Sequence, residues 1–333
     1  IIPNQFVYLG IMENVQLLKK DKYGNPCHKY KNFDKPYMKY VSVTKVRDSI
    51  QKPFHAMKKA KELCVNPNKK KYYQRDPEEI VMEWNLNGQR AGEYGTMIHD
   101  IVERHLLSTC WSFLGDDELE QRVIREFKKA MKKVNAQLSQ YGFEYTYDSI
   151  KTEVVHHLAI RSKKKYNGKY LTIPVINKMT EEEVNEFLID WQNEFTTSEI
   201  LSAKSLKSKK DLLKKLVNFG LAGSVDIRYD SKKWFSVIDI KTDEVITYDA
   251  WNGIECFLPP LNNLKKCKIN KYGIQTGTYG VLGNSMESLK GKQYLAKDFI
   301  LHWDKMNQTF TVIKLKNYYQ HARHLMAHYF ELL

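Results

Sequence analysis

A chain of 333 residues that is 42% hydrophobic and 12% aromatic can bury one large core or two smaller ones, which excludes a disordered polypeptide. Its 53 Lys and Arg against 39 Asp and Glu leave a formal net charge of +14, which favours a polyanionic partner, nucleic acid before an anionic membrane, although a solubility role accounts for the charge equally well. The five cysteines are widely spaced and form no CxxC pair, so neither a zinc ribbon nor an iron–sulfur cluster is expected, and no apolar run approaches the roughly 18 residues of a membrane span.

Residues 1–90 carry 18 Lys and Arg against 9 Asp and Glu, and are expected to form a basic, mainly helical N-terminal region. Its opening stretch, IIPNQFVYLGIMENVQ, lacks the basic-then-apolar layout of a signal peptide. With the cysteine usage, this points to a reducing intracellular setting such as cytoplasm, nucleoid or organelle matrix. Residues 40–47 alternate like a short strand and run into a helix that Ser42 or Thr44 can cap. Lys69, Lys70 and Lys71 abut Tyr72 and Tyr73, a basic and aromatic run suited to a nucleic-acid strand, with a solvated loop as the equal alternative. The patterns predict helices over 77–87 and 93–107, then a long amphipathic helix over 116–139 with a basic outer face.

After Gly142 the period changes to two, and 152–160 reads as a strand. Residues 162–216, rich in Lys and Ser, read as an insertion. Strands over 219–230 and 234–243 follow, joined by the turn Asp230–Lys233. A helix over 271–283, a strand pair over 296–303 and 308–315, and a closing helix over 317–332 complete an α/β domain over 91–333.

Asp239-Ile-Lys241 puts an acid and a lysine on one face of an apolar strand. Two buried charges are costly unless they serve a purpose, and a divalent cation such as Mg²⁺ or Mn²⁺ supplies one. The same spacing at Glu126–Lys128 and Asp230–Lys232 lies on a polar helix and a turn, where a solvated pair is the natural reading. Gly223-Ser-Val-Asp226 closes the preceding strand, and a hairpin would bring Asp226 near Asp239. His99 and Glu103 share a helix face, where an imidazole can ligate Mn²⁺ or simply pack as a core histidine. Gln275 and Tyr279 share another helix face.

Gly95…His99…Glu103, Gly-x-x-Asp226, Asp239-x-Lys241 and Gln275-x-x-x-Tyr279, in this order, resemble the RecB-like branch of the PD-(D/E)XK nucleases, and in particular its cluster-free exonucleases of mitochondrial genome maintenance, phages and viruses. The resemblance spans roughly residues 40–285, includes the SVTKV segment at 42–46, and implies a restriction-endonuclease-like fold, a mixed central sheet flanked by helices. It implies that His99, Asp226, Asp239 and the Ile240 carbonyl hold Mg²⁺ or Mn²⁺ and that Asp226, Asp239 and Lys241 carry catalysis. Glu103, Glu153, Thr242, Gln275 and Tyr279 would support them. The long 162–216 insertion departs from the pattern. The implied activity is metal-dependent hydrolysis of DNA, by an exonuclease or end- and flap-processing enzyme on single strands. An RNA-cleaving or structure-specific endonuclease and a non-catalytic DNA-binding subunit stand as alternatives, and protein partners are not specified. An abundance of Lys, Asn, Ile and Tyr is compatible with a phage or viral source.

Overall fold

The computed structural model describes residues 15–20, 26–32, 39–161, 165–166, 169–171, 173–190, 197–250, 253–286 and 291–331. The opening stretch 1–14 and several Lys-rich positions between 162 and 172 lie outside the described residues. Strands β1 (Val15–Lys20) and β2 (Pro26–Asn32) form an antiparallel hairpin. Strand β3 (Lys39–Ser42) runs straight into α1 (Val43–Asp48), which Ser42 caps by accepting from the Lys45 N–H at 3.1 Å. Helix α2 (Ala56–Cys64) precedes α3 (Pro77–Leu107).

Helix α3 starts where its sequence dictates. Asp76 accepts from the Glu78 N–H at 2.9 Å, Pro77 occupies the first turn, and Glu78 and Glu79 meet the positive end of the helix dipole. It runs unbroken through Gly88 and Gly92, where two helices were expected. Both glycines are exposed, and each costs only about 1 kcal/mol relative to Ala, less than the packing of Ile80, Ile98, Ile101, Val102 and Leu106 recovers. Helix α4 (Glu118–Leu138), capped by Asp117, buries Val123, Phe127, Met131 and Val134 and turns its lysines outward.

Strand β4 (Ile150–Arg161) leads to the inserted segment, which folds as the small hairpin β5 (Lys165–Tyr166) and β6 (Lys169–Tyr170), then α5 (Ile173–Lys178), α6 (Glu181–Asp190), α7 (Thr197–Ser202) and α8 (Leu206–Val217). Leu171, Ile176, Met179, Val184, Phe187 and Leu213 give this segment a core of its own. Strands β7 (Asn218–Asp230) and β8 (Trp234–Lys241) form the long hairpin. Helix α9 (Lys268–Gly283), strands β9 (Gln293–Tyr294), β10 (Phe299–Asp304) and β11 (Thr309–Lys314), and helix α10 (Tyr319–Glu331) complete the chain.

Seven strands make one mixed sheet. Its main path is β11-β10-β8-β7-β3, with β4 also paired to β7 and β9 to β8. β10 and β3 run parallel to their neighbours β8 and β7, whereas β7/β8, β4/β7 and β10/β11 are antiparallel. Helices cover both faces. Ile227, Tyr229, Ile238, Ile240 and Trp303 pack under α3 and α4. Val225, Phe235, Val237 and Ile300 pack under α1, α9 and α10.

Two expectations about the first ninety residues change. Among the described residues of this region the helices share it with strands: β1, β2 and β3 precede them, and β3 joins the central sheet beside β7. The boundary at 90/91 falls inside α3, which has no break there. Among the described residues no helix is long and apolar enough to cross a membrane.

Candidate active site

The site forms at the C-terminal end of β8. Strand alternation sends Phe235, Val237, Asp239 and Lys241 toward α9, and Ile238 and Ile240 toward α3. Asp239 is 2% exposed, and the Lys241 ammonium is paired with its Oδ2. Lys241 Nζ also lies 5.0 Å from the centre of the Tyr272 ring. Tyr272 in turn hydrogen-bonds the Asp243 carboxylate.

The β7/β8 register ends at the pair Ile227–Ile238, and Asp226 and Asp239 are the next residues beyond it on the two strands. Val225 and Ile227 belong to opposite cores, so the alternation of β7 breaks at Asp226. The partner strand is irregular at the same level: Glu153 has φ +51°, a conformation uncommon for a residue with a side chain. Ser224 hydroxyl donates to Glu153 Oε2 at 2.7 Å, and the Ser224 N–H donates to the Tyr30 hydroxyl of β2 at 3.0 Å. The Asp226 carboxylate therefore emerges beside the end of β8, where the Ile240 N–H donates to its Oδ2 at 2.8 Å.

Helix α3 reaches this point through Gly95. A Cβ there would sit 2.8 Å from Thr242 Oγ1, so glycine lets the helix lie this close to the end of β8 without displacing the Thr242 hydroxyl. One turn later His99 Nδ1 stands 3.6 Å from Asp226 Oδ2, with the two side chains 28% and 16% exposed. Glu103, a turn further, is half-buried and lines an open cleft along α3 with Met97, Asp100 and Arg104.

The electrostatics follow from burying two carboxylates together. Burial pushes the Asp226 carboxyl above the usual carboxylate range. His99 pulls against that shift, the charge on Asp239 adds to it, and Lys241 and the Ile240 N–H pull it back. For Lys241 burial disfavours the ammonium, yet Asp239 and Asp226 outweigh it, so its pKa is raised and the group is protonated at neutral pH. Among the described residues no three His, Cys, Asp or Glu side chains already converge as a metal cage. The reason lies in the pairing: Lys241 engages Asp239, and His99 and Asp226 face each other.

On α9, Gln275 Nε2 donates to the Tyr279 hydroxyl at 2.9 Å, and both side chains are buried. Tyr279 packs where Gly223 leaves room, since a Cβ at 223 would lie 2.3 Å from its Cε1. Two residues not foreseen in the sequence complete this layer. Arg47 of α1 donates from Nη1 to Gln275 Oε1 at 2.5 Å. His156 of β4, fully buried, donates from Nδ1 to the Tyr279 carbonyl at 2.8 Å. Burial, aided by Arg228, holds that imidazole neutral with a pKa lowered to about 3. Arg47 lies in an ordinary amphipathic turn and His156 in an ordinary strand, so neither carried a sequence signal.

The Lys69–Tyr73 stretch sits elsewhere. It lies in turns before Pro77 and meets α3 at Glu83 and Trp84, and His99 is 15 residues beyond Trp84, roughly 22 Å at helical rise. Lys71 pairs with Glu83 at 3.0 Å, and Tyr72 accepts from Trp84 Nε1 at 3.3 Å and packs on its ring. Those two residues fasten the turn to α3, while Lys69, Lys70 and Tyr73 are exposed.

Comparison with protein-family models, with curated proteins and with solved structures finds no match for this chain.

Proposed function

We propose that this protein is a metal-dependent nuclease of the RecB-like PD-(D/E)XK type, with a restriction-endonuclease-like core, that hydrolyses phosphodiester bonds of DNA. The observation that carries the reading is the convergence of Asp226, Asp239, Lys241 and His99 at one end of the sheet. Four residues from three separate elements meet there: Lys241 pairs with Asp239, and His99 faces Asp226.

The donor set fits a divalent cation. Two carboxylates and an imidazole are hard or borderline ligands, and burial holds the Asp226 carboxyl above its normal pKa. Asp226 and Asp239, with His99 and the Ile240 carbonyl, would hold Mg²⁺ or Mn²⁺. Bound there, the ion would polarise a water and offset charge on the scissile phosphate. Lys241 would orient or deprotonate the attacking water, or stabilise negative charge on a phosphate oxygen. The Ile240 N–H fixes Asp226, and Tyr279 and Gln275 line the same layer.

The deciding experiment offers end-labelled single-stranded, duplex and circular DNA, and RNA, to the protein with Mg²⁺, Mn²⁺ or EDTA, alongside Lys241→Ala. Cation-dependent cleavage of DNA that Lys241→Ala abolishes is the expected result. Preference for RNA would move the substrate class. Binding of DNA with no cleavage of any substrate would replace the nuclease with a non-catalytic DNA-binding subunit.

A further inference from the structure

Arg47 is a buried cation that the chemistry above does not use. It is 8% exposed, near the end of α1. Nε and Nη2 grip the neighbouring Asp48 carboxylate at 2.9 and 3.0 Å, and Lys271 of α9 joins the same carboxylate at 3.3 Å. Nη1 reaches past that pair to Gln275 Oε1. Neutralising Asp48 does not require this third contact.

The contact has a directional consequence. A guanidinium only donates, so it must face the oxygen end of the Gln275 amide. The nitrogen end is then turned to Tyr279, and Nε2 donates to the phenol oxygen. A hydroxyl has one proton. With its oxygen accepting from Gln275, Tyr279 must direct that proton away from the glutamine. Tyr279 packs against Gly223, three residues before Asp226 on β7, and the charges of Asp239, Tyr30 and Asp226 all act on its phenol.

We infer that Arg47 is a positioning residue: through Gln275 it sets the hydrogen-bond polarity of Tyr279, so that the phenol proton faces the Asp226–Asp239 centre and is available to a phosphate oxygen there. The inference rests on the phosphodiester reading for its purpose, though not for its geometry. Without Arg47 the amide is free to rotate by half a turn. Its oxygen would then accept the phenol proton and draw it out of the site.

The test compares Arg47→Met, Arg47→Lys, Gln275→Glu, Tyr279→Phe and the Arg47→Met/Tyr279→Phe double variant in single-turnover and steady-state cleavage. Gln275→Glu keeps the shape but offers acceptors to both neighbours, which pulls the phenol proton back. Each of Arg47→Met, Gln275→Glu and Tyr279→Phe is expected to lower kcat by about tenfold or more with KM little changed. The double variant should be no slower than Tyr279→Phe alone, and Arg47→Lys, which retains a donor, should recover most of the rate. Losses that multiply in the double variant, or Gln275→Glu at the wild-type rate, overturn the relay. If Arg47→Met does not fold, the Gln275→Glu rate against that of Tyr279→Phe decides by the same criterion.

The Gln275 side-chain amide gives a reading independent of activity. In ¹⁵N spectra its two protons should be well separated and slow to exchange in the wild type, and should merge toward free-amide positions in Arg47→Met. An unchanged amide overturns the relay. A changed amide in a protein that cuts no nucleic acid leaves the relay standing and removes the nuclease reading instead.

Discussion

Replacing Gly223 by Ala tests whether two sequence motifs meet as the structure places them. Glycine in a strand is entropically costly, and Gly→Ala at a compatible position stabilises by about 0.4–1 kcal/mol. Here a Cβ would stand 2.3 Å from Tyr279 Cε1 and 2.8 Å from Val43 Cγ2. Ordinary carbon contacts lie near 3.5–4.0 Å, so the Tyr279 ring must retreat by roughly 1 Å. It has little freedom to do so, being 4% exposed and held by Gln275. Overpacking of this kind costs about 1–3 kcal/mol, which outweighs the entropic gain and leaves Gly223→Ala destabilised by roughly 1–2 kcal/mol. At about 2–4 °C per kcal/mol for a chain of this size, Tm should fall by roughly 2–8 °C. Thermal unfolding followed by circular dichroism measures this. In a Tyr279→Leu background the same substitution should cost less, because the planar ring is gone. A wild-type or raised Tm for Gly223→Ala would mean that β7 and α9 do not touch here, and the shared site would lose its geometric basis.

Further outcomes follow from the same structure. Gly88 and Gly92 of α3 have nothing within 4 Å of a built Cβ, so Gly88→Ala should raise stability by about 0.5–1 kcal/mol, read from urea melts; a loss would place an unseen neighbour on that face. Asp298 is buried against Tyr294 and accepts from the Val237 N–H at 3.0 Å. Burial raises its pKa to about 6, with partial relief from those donors and a further rise from Asp239. A carboxyl raised in the folded state contributes stability that is full below its unfolded pKa and is lost as pH rises through its folded value. Wild-type stability should therefore decline from about pH 4 to about pH 6, by about 3 kcal/mol at most from this group, and Asp298→Asn should flatten that slope. Equal slopes in the two proteins would show that Asp298 is ionised throughout. Asp226 is raised in the same direction, so Mn²⁺ binding near the upper end of this window should release a proton, seen as a buffer-dependent heat in calorimetry, and Asp226→Asn should remove both the heat and most of the affinity. Buffer-independent binding would show the cation avoids Asp226.

Local patterns were legible in the sequence wherever neighbours in the chain decide the structure. The β7/β8 hairpin, the Asp239–Lys241 pair on one strand face and the His99 side of α3 follow from short-range periodicity. Position in space was not legible where distant segments decide it. β3 joins β7 in parallel although the two are far apart in the chain, and no pattern within Lys39–Ser42 could announce that partner. Arg47 finds Gln275, and His156 finds the Tyr279 carbonyl, across similarly long stretches. The Lys69–Tyr73 run shows the opposite failure: a composition suited to nucleic acid partly serves to fasten a turn, because Glu83 and Trp84 of α3 claim Lys71 and Tyr72.

An imbalance of charge is left among the side chains themselves. Lys241 is drawn by both Asp226 and Asp239 but can pair closely with only one, and it sits on Asp239. Asp226 then has an imidazole at 3.6 Å and a single backbone N–H, too little to restore the pKa that burial raises. A fold selected for stability alone would replace the whole buried cluster of charges with packed apolar residues, since such a replacement is often neutral or stabilising. Instead β7 breaks its alternation at Asp226, β4 holds Glu153 at positive φ opposite it, and α3 gives up a side chain at Gly95 to bring His99 beside it. Three elements accept local strain or lost packing around one carboxylate, and backbone irregularity concentrated in this way is characteristic of sites kept for chemistry.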